Sequence, residues 1–208
     1  MKTKYGARLG SASLFFLLIS GCAALRPEAL PHPSFYSLDQ DSAILAAPRT
    51  LPDAAPALLV STPQAAAGFD SSRIIYLRQP HQLEYFAHSE WIDTPARMLT
   101  PLLIAAMENS GTFRAVVHAP GPATGEVRLD SEILQLQHEF IGGSSQVRFV
   151  LRAYLVEESS RRVIATRQFE AIKMTTSEDP YGGVIAANQA VQTVLKDLAA
   201  FCKESLGK

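Results

Sequence analysis

From Glu126 to Ala171 the sequence alternates between apolar and polar residues for most of its length, and little else in the chain restricts the fold as much. Val127, Leu129, Ser131 and Ile133 share one face, and Arg128, Asp130 and Glu132 the other. That is the period of a strand with one buried side. Past Ile133 the phase changes, because Leu134, Leu136, His138 and Phe140 now fall together, which predicts a bulge near 133–134. "GGSS" (142–145) turns the chain. Val147, Phe149, Leu151, Ala153 and Leu155 then alternate, and after "EESSRR" so do Val163, Ala165, Arg167, Phe169 and Ala171. Three long strands joined by short turns form an antiparallel meander whose apolar face must be covered.

Two helical patterns supply the cover. In 181–203 the residues Val184, Ala187, Val191, Val194, Leu198 and Phe201 make one stripe, the mark of an amphipathic helix. In "IDTPARMLTPLLIAAMENSG", Asp93 or Thr94 can cap a helix that opens with Pro95, Leu99, Leu102, Leu103, Ala106 and Met107 fall on one face, and Gly111 is a left-handed stop. Pro101 either kinks this helix or moves its regular start beyond Pro95. Shorter β-prone runs lie at 34–38, 57–63, 72–79, 82–91 and 112–119, with 82–91 expected to pair as a hairpin with the run before it. The Ala- and Pro-rich stretch 40–57 reads as a long loop. The order β-β-β-β-α-β-β-β-β-α predicts an α+β fold, an antiparallel β-sheet with two main helices packed on one face, as a single domain over 34–204. At 47% hydrophobic residues, such a domain can build its core without staples.

The amino-terminal segment is of another kind. Lys2, Lys4 and Arg8 precede an apolar run ending in Leu17, Leu18 and Ile19, the layout of an export signal. The run is too short to span a bilayer. Ile19, Ser20, Gly21 and Cys22 resemble the bacterial lipobox, in which the Cys22 thiol accepts a diacylglycerol and a peptidase cuts between Gly21 and Cys22. The new amino terminus is then acylated, with palmitate the expected chain. An ordinary secretory peptide with a chance cysteine is the competing reading. On the first reading, 1–21 is a lipoprotein signal and 22–33, with Pro27, Pro31 and Pro33, is an extended tether. Alanine rather than aspartate at 23 points to the outer membrane.

The whole chain carries a formal charge of −1, and no basic cluster suggests nucleic acid. Cys202 reads as a small buried hydrophobe near a helix end, with an intermolecular bridge or a reactive thiol as alternatives. The five histidines have no ligand spacing, so neither a metal nor another cofactor is expected. His88, Ser89 and Glu90 are consecutive in a strand and cannot align as a nucleophile and its base. Gly182 and Gly183 suggest an entry turn to the last helix rather than a phosphate cradle. Trp91 is either a brace at the strand-to-helix joint or an anchor for a partner. Tyr85 and Phe86 must point to opposite faces, so one of them is a candidate for exposed apolar surface. Tyr85, Phe86 and Trp91 are therefore the candidate partner-binding residues, and no catalytic set stands out.

"LEYFAHSEWIDTPARMLTPLLIAAMENSGTFRAV" (83–116), "GGVIAANQAVQTVLKDLAAF" (182–201) and "FYSL" (35–38) resemble the ABC-type transport auxiliary lipoprotein family. Members are similar to paraquat-inducible protein C. The resemblance covers essentially the whole chain after Cys22, while Pro101 and the 40–57 loop do not map onto it. It implies a non-enzymatic, periplasm-facing lipoprotein on the outer membrane that accompanies an MCE-domain protein and, through it, an ABC permease and ATPase moving phospholipids between membranes. Self-association is left open. A different class of function, a carrier enclosing an acyl chain between sheet and helices, would need a large apolar cavity.

Overall fold

In the computed structural model, residues 32–39 and 54–207 are described. Their strands are β1 (Ser34–Tyr36), β2 (Ala57–Ser61), β3 (Gln64–Ala65), β4 (Arg73–Leu77), β5 (Glu84–Trp91), β6 (Ala115–Ala119), β7 (Val127–Ile141), β8 (Ser144–Glu157) and β9 (Arg162–Met174). The helices are α1 (Pro95–Ser110) and α2 (Pro180–Leu206).

β7 is the spine. One edge pairs antiparallel with β8 from Val127 to Ile141, and β8 pairs antiparallel with β9. The other edge is shared by three short strands, all parallel to it. β2 meets Val127–Leu129, β3 meets Glu132–Ile133 and β4 meets Gln137–Glu139. β6 extends β2 in parallel, β5 pairs antiparallel with β4, and β1 closes that side parallel to β5. The α+β class, the meander and the β4–β5 hairpin are as the sequence predicts. The sheet as a whole is mixed rather than antiparallel, because long crossovers, one containing α1, return the short strands in the direction of their neighbours.

The expected bulge is present. Ile133 faces Leu151 and Gln135 faces Val150, leaving Leu134 as the extra residue. A second irregularity was not foreseen. Leu155 faces Ala165 while Val156 faces Val163, so Ile164 is extra and Val163 turns to the outer face, 50% exposed.

Both helices cover the inner face of the sheet. Leu99, Leu103 and Met107 of α1 and Val194 and Leu198 of α2 are fully buried with Leu129, Ile133, Phe149, Leu151 and Leu155. Each large side chain so removed from water contributes about 1.5–3 kcal/mol. Phe201 meets Phe169 edge-on at 5.6 Å, and the Arg167 guanidinium closes this end, 4.6 Å from the Phe201 ring centre. Cys202 is fully buried, as the small-hydrophobe reading requires, and burial pushes its thiol up to about 12. The outer face carries a small cluster of Phe69, Ile75 and Leu77. Beside it, burial works against the charge of Glu139, but hydrogen bonds from Arg148, Gln146 and Gln137, each 2.8 Å, hold its carboxyl below the ordinary value.

The helix ends follow from their residues. Thr94 is the residue that precedes α1, but its side chain makes no capping bond; Asp93 Oδ1 accepts from the Thr94 amide at 2.7 Å and Asp93 Oδ2 pairs with Arg97 at 3.2 Å. Gly111 ends α1 at φ 65°. Helical geometry begins at Pro95, so Pro101 lies inside the helix, exposed, and cannot donate to the Arg97 carbonyl. Asp179 caps α2 by accepting from the Gly182 amide at 2.7 Å. Gly182 and Gly183 are not an entry turn before the helix; they form its first turn, buried against the sheet. A Cβ on Gly183 would lie 2.6 Å from His138 Nδ1, so only glycine lets the helix start seat here.

Gly183→Ala is expected to lower the unfolding free energy by about 1–3 kcal/mol through overpacking, measured by urea titration. Pro101→Ala is expected to raise it by about 1–3 kcal/mol, since a backbone hydrogen bond is restored at an exposed position.

Candidate docking surface

The described chain enters the domain at β1, the last strand on its side of the sheet. Ser34, Phe35 and Tyr36 register with Ser89, Glu90 and Trp91, and the Ile92 amide continues the pairing to the Tyr36 carbonyl at 2.7 Å. Asn188 of α2 fixes the segment after β1. Its Oδ1 accepts from the Asp39 amide at 2.7 Å and its Nδ2 donates to the Ser37 carbonyl at 3.3 Å. Alternation sends Trp91 into the core, 3% exposed, and leaves Phe35 at 56% and Ile92 at 63%. Tyr181, in the first turn of α2, is 60% exposed with its ring 6.4 Å from that of Tyr36. An open cleft of about 560 Å³ runs between β1 and α2, bordered by Phe35, Tyr181 and Ile185.

Farther along β5, Tyr85 registers with Ile75 on the outer face and is half exposed, with the Arg73 guanidinium 4.1 Å above its ring centre. Phe86 turns inward and packs on Tyr76 at 4.6 Å and His138 at 6.1 Å, while His138 stacks on Phe140 at 4.1 Å. The Tyr76 hydroxyl donates to Glu84 at 3.1 Å, and Arg78 also binds that carboxylate. His138 is buried, with Nε2 bonded to the Ser145 hydroxyl, and Nδ1 has no partner among the described residues. Burial lowers its pKa to about 4 despite the attraction of Asp179.

A second open cleft, of about 440 Å³, lies between the helices, with Ala106, Leu195 and Ala199 as its apolar wall and Lys196 at its rim. Between sheet and helices, the space bounded by Ile74, Trp91, Leu136, His138, Val147 and Ala187 amounts to about 10 Å³, roughly one water at most. Among the described residues, no three His, Cys, Asp or Glu side chains are grouped to hold a metal. Ser89 is buried, His88 is exposed and Glu90 bonds to Ser72 at 3.4 Å, so these neighbours do not converge. No helix among the described residues is long and apolar enough to cross a membrane.

The sequence profile of the ABC-type transport auxiliary lipoprotein component matches residues 36–199, and the chain belongs to that family. The fold is shared with protein XCC0632 from Xanthomonas campestris, of the DUF330 family, at a TM-score of 0.69 and 24% identity over 83% of this chain and 95% of that one. A second solved structure, of an uncharacterized protein, gives a TM-score of 0.63 at 14% identity over 85% and 99% of the two chains. At such identities the likeness is one of fold. No curated protein matches the sequence.

Of the residues singled out from sequence, Gly21 and Cys22 lie outside the described residues, as does most of the 40–57 stretch. Tyr85 is at the surface, Phe86 is half-buried on the opposite face, and Trp91 is interior, in the bracing position. These three do not form one patch. Phe35, Ile92 and Tyr181 were missed. The signal was present: Phe35 precedes and Ile92 follows an inward aromatic, and Tyr181 lies off the apolar stripe of α2.

Lowering the pH from 6.5 towards 4 is expected to erode stability through His138, because the unfolded imidazole takes up a proton there and the folded one does not. The contribution is present above 6.5 and lost as the pH falls through about 4, amounting to about 3 kcal/mol at most. Denaturant titrations of His138→Gln beside the unsubstituted protein should show a shallower fall across this window.

Proposed function

We propose that this protein is the outer-membrane-anchored docking component of an MCE-type lipid-transport assembly. The match to the auxiliary lipoprotein family over residues 36–199 carries the reading. On it, Gly21–Cys22 is the processing site, acylated Cys22 is the anchor, and residues 22–33 are a tether whose reach of roughly 30 Å bounds how far the domain can lie from the bilayer. Two or more acyl chains suffice for stable attachment. The domain does not catalyse. It holds the periplasmic end of the MCE-domain protein at the outer membrane, while a permease and an ATPase elsewhere drive the flux.

The filled interior favours docking over carrying. The space of about 10 Å³ bounded by Ile74, Trp91 and His138 between sheet and helices is far below the 300 Å³ or so that ligand pockets begin at, and the clefts of about 440 and 560 Å³ are open at the surface and do not enclose a ligand. Tyr85, held flat by Arg73, is the sequence-predicted residue whose exposure suits a partner contact; Phe86 and Trp91 would serve it from beneath, by fixing β5.

Crosslinking pull-down from membranes, with the full-length protein beside Cys22→Ala, tests the reading. An MCE-domain protein should be captured by the former and lost or reduced with the latter. Capture of no transporter component by the unsubstituted protein would overturn it.

A further inference from the structure

The exposed apolar side chains that sequence reasoning missed gather where the chain enters the domain. Phe35 and Ile92 sit diagonally on the outer face of the β1–β5 pair, and Tyr181 flanks the same edge from the α2 side. All three are more than half exposed. We propose that this β1 edge is an interfacial lipid-binding surface, by which the domain rests on the phospholipid bilayer that holds its own amino-terminal end. The proposal rests on the reading of Cys22 as the anchor.

Three observations select a bilayer as the occupant. The first is where the outside chain ends. Only eleven residues lie between Cys22 and Ser34, so the tether reaches no more than about 40 Å. It delivers the chain into β1 itself, which keeps this edge near the membrane at an effective concentration on the order of millimolar. A weak affinity is then enough. The second is composition. Two aromatic rings, one ending in a hydroxyl, and one aliphatic side chain suit the boundary between headgroups and acyl chains. The acids nearby are Asp93, paired with Arg97, Glu90, in register with Phe35 and bonded by the Ser72 hydroxyl, and Asp39 at the cleft, so attraction by charge is not the driving term. The third is the backbone. Among the described residues β1 ends the sheet on this side, and outward N–H and C=O groups at a sheet edge need polar partners, which the headgroup layer offers and the hydrocarbon interior does not. The surface therefore lies on the bilayer and does not span it.

The orientation has a consequence. The turn between β8 and β9 lies across the sheet, five strand spacings or about 24 Å from β1, and faces away from the lipid. Tyr85, some six residues or about 20 Å along β5 from Trp91, stays clear for a protein partner.

The test uses the full-length protein in vesicles of phosphatidylethanolamine and phosphatidylglycerol carrying brominated chains. An environment-sensitive fluorophore is placed at Ser34→Cys or, as control, at Ser159→Cys in the β8–β9 turn. Cys202 is fully buried and adds little background. Emission at position 34 should shift to the blue and be quenched by bromine, and emission at 159 should not. Phe35→Ser with Ile92→Ser should weaken the lipid dependence at position 34 roughly tenfold without loss of thermal stability, and 0.5 M salt should leave it unchanged. Equal emission at the two sites, or no effect of the double substitution, would overturn the proposal. Flotation of the acylated protein beside Cys22→Ala decides the anchor separately. If both float alike, the anchor reading fails. The label at 34 is then read on Cys22→Ala with millimolar vesicles added, where quenching supports the surface and its absence rejects it.

Discussion

The long pairing of β7 with β8 is the constraint on which the other elements depend. It is the longest strand pairing among the described residues, and it leaves the opposite edge of β7 free to be divided among β2, β3 and β4. Each of these is too short to specify its own register. Each gains it by lying beside a strand whose inward set is already fixed by Leu129, Ile133, Leu136 and His138. The bulge at Leu134 serves the same end. It keeps apolar residues inward on both sides of the irregularity and adds local twist, so one strand can hold a meander on one side and three separate short strands on the other.

α2 is held by close approach as much as by burial. Its stripe from Val184 to Phe201 covers β8 and β9, but its start is fixed by Gly183 against the imidazole of His138 and by Asp179 capping the first turn. The same helix reaches β1 through Asn188, which takes one hydrogen bond from the Asp39 amide and gives another to the Ser37 carbonyl. The point where the chain enters is therefore tied to the element that seals the core. A pull on the amino-terminal side is carried into α2 and the sheet, and not into a loosely attached strand.

What sequence revealed and what it hid divide along physical lines. Period-two alternation over β7 and β8, the bulge at 133–134, the Pro95 start, the Gly111 stop and the α2 stripe are local patterns, and each is found where the sequence places it. Whether β2 and β4 lie parallel or antiparallel to β7 is decided by crossovers, which leave no local trace. Ile164 was invisible because one extra residue next to a turn looks the same as a longer turn. Gly183 is explained by His138, forty-five residues away in the chain, and Gly182 by the backbone and hydroxyl of Ser177. For the candidate surface, alternation located the exposed ring of Tyr85 and the inward one of Phe86 only as alternatives. Trp91 attracted attention by its size, whereas its smaller neighbour Ile92 carries the exposure.

On the proposed docking role, position is the quantity this domain controls. Enclosing a lipid between sheet and helices would require the packed contacts among α1, α2 and the sheet to open, forfeiting the burial of several side chains at about 1.5–3 kcal/mol each. Holding partners at fixed separations requires none of that. It needs a rigid sheet, an entry strand fastened to the core and exposed apolar groups at defined places. Phe35 and Ile92 at one edge and Tyr85 farther along β5 meet this need, because all three are carried on the same paired strands and cannot move relative to one another without breaking the β1–β5–β4 ladder.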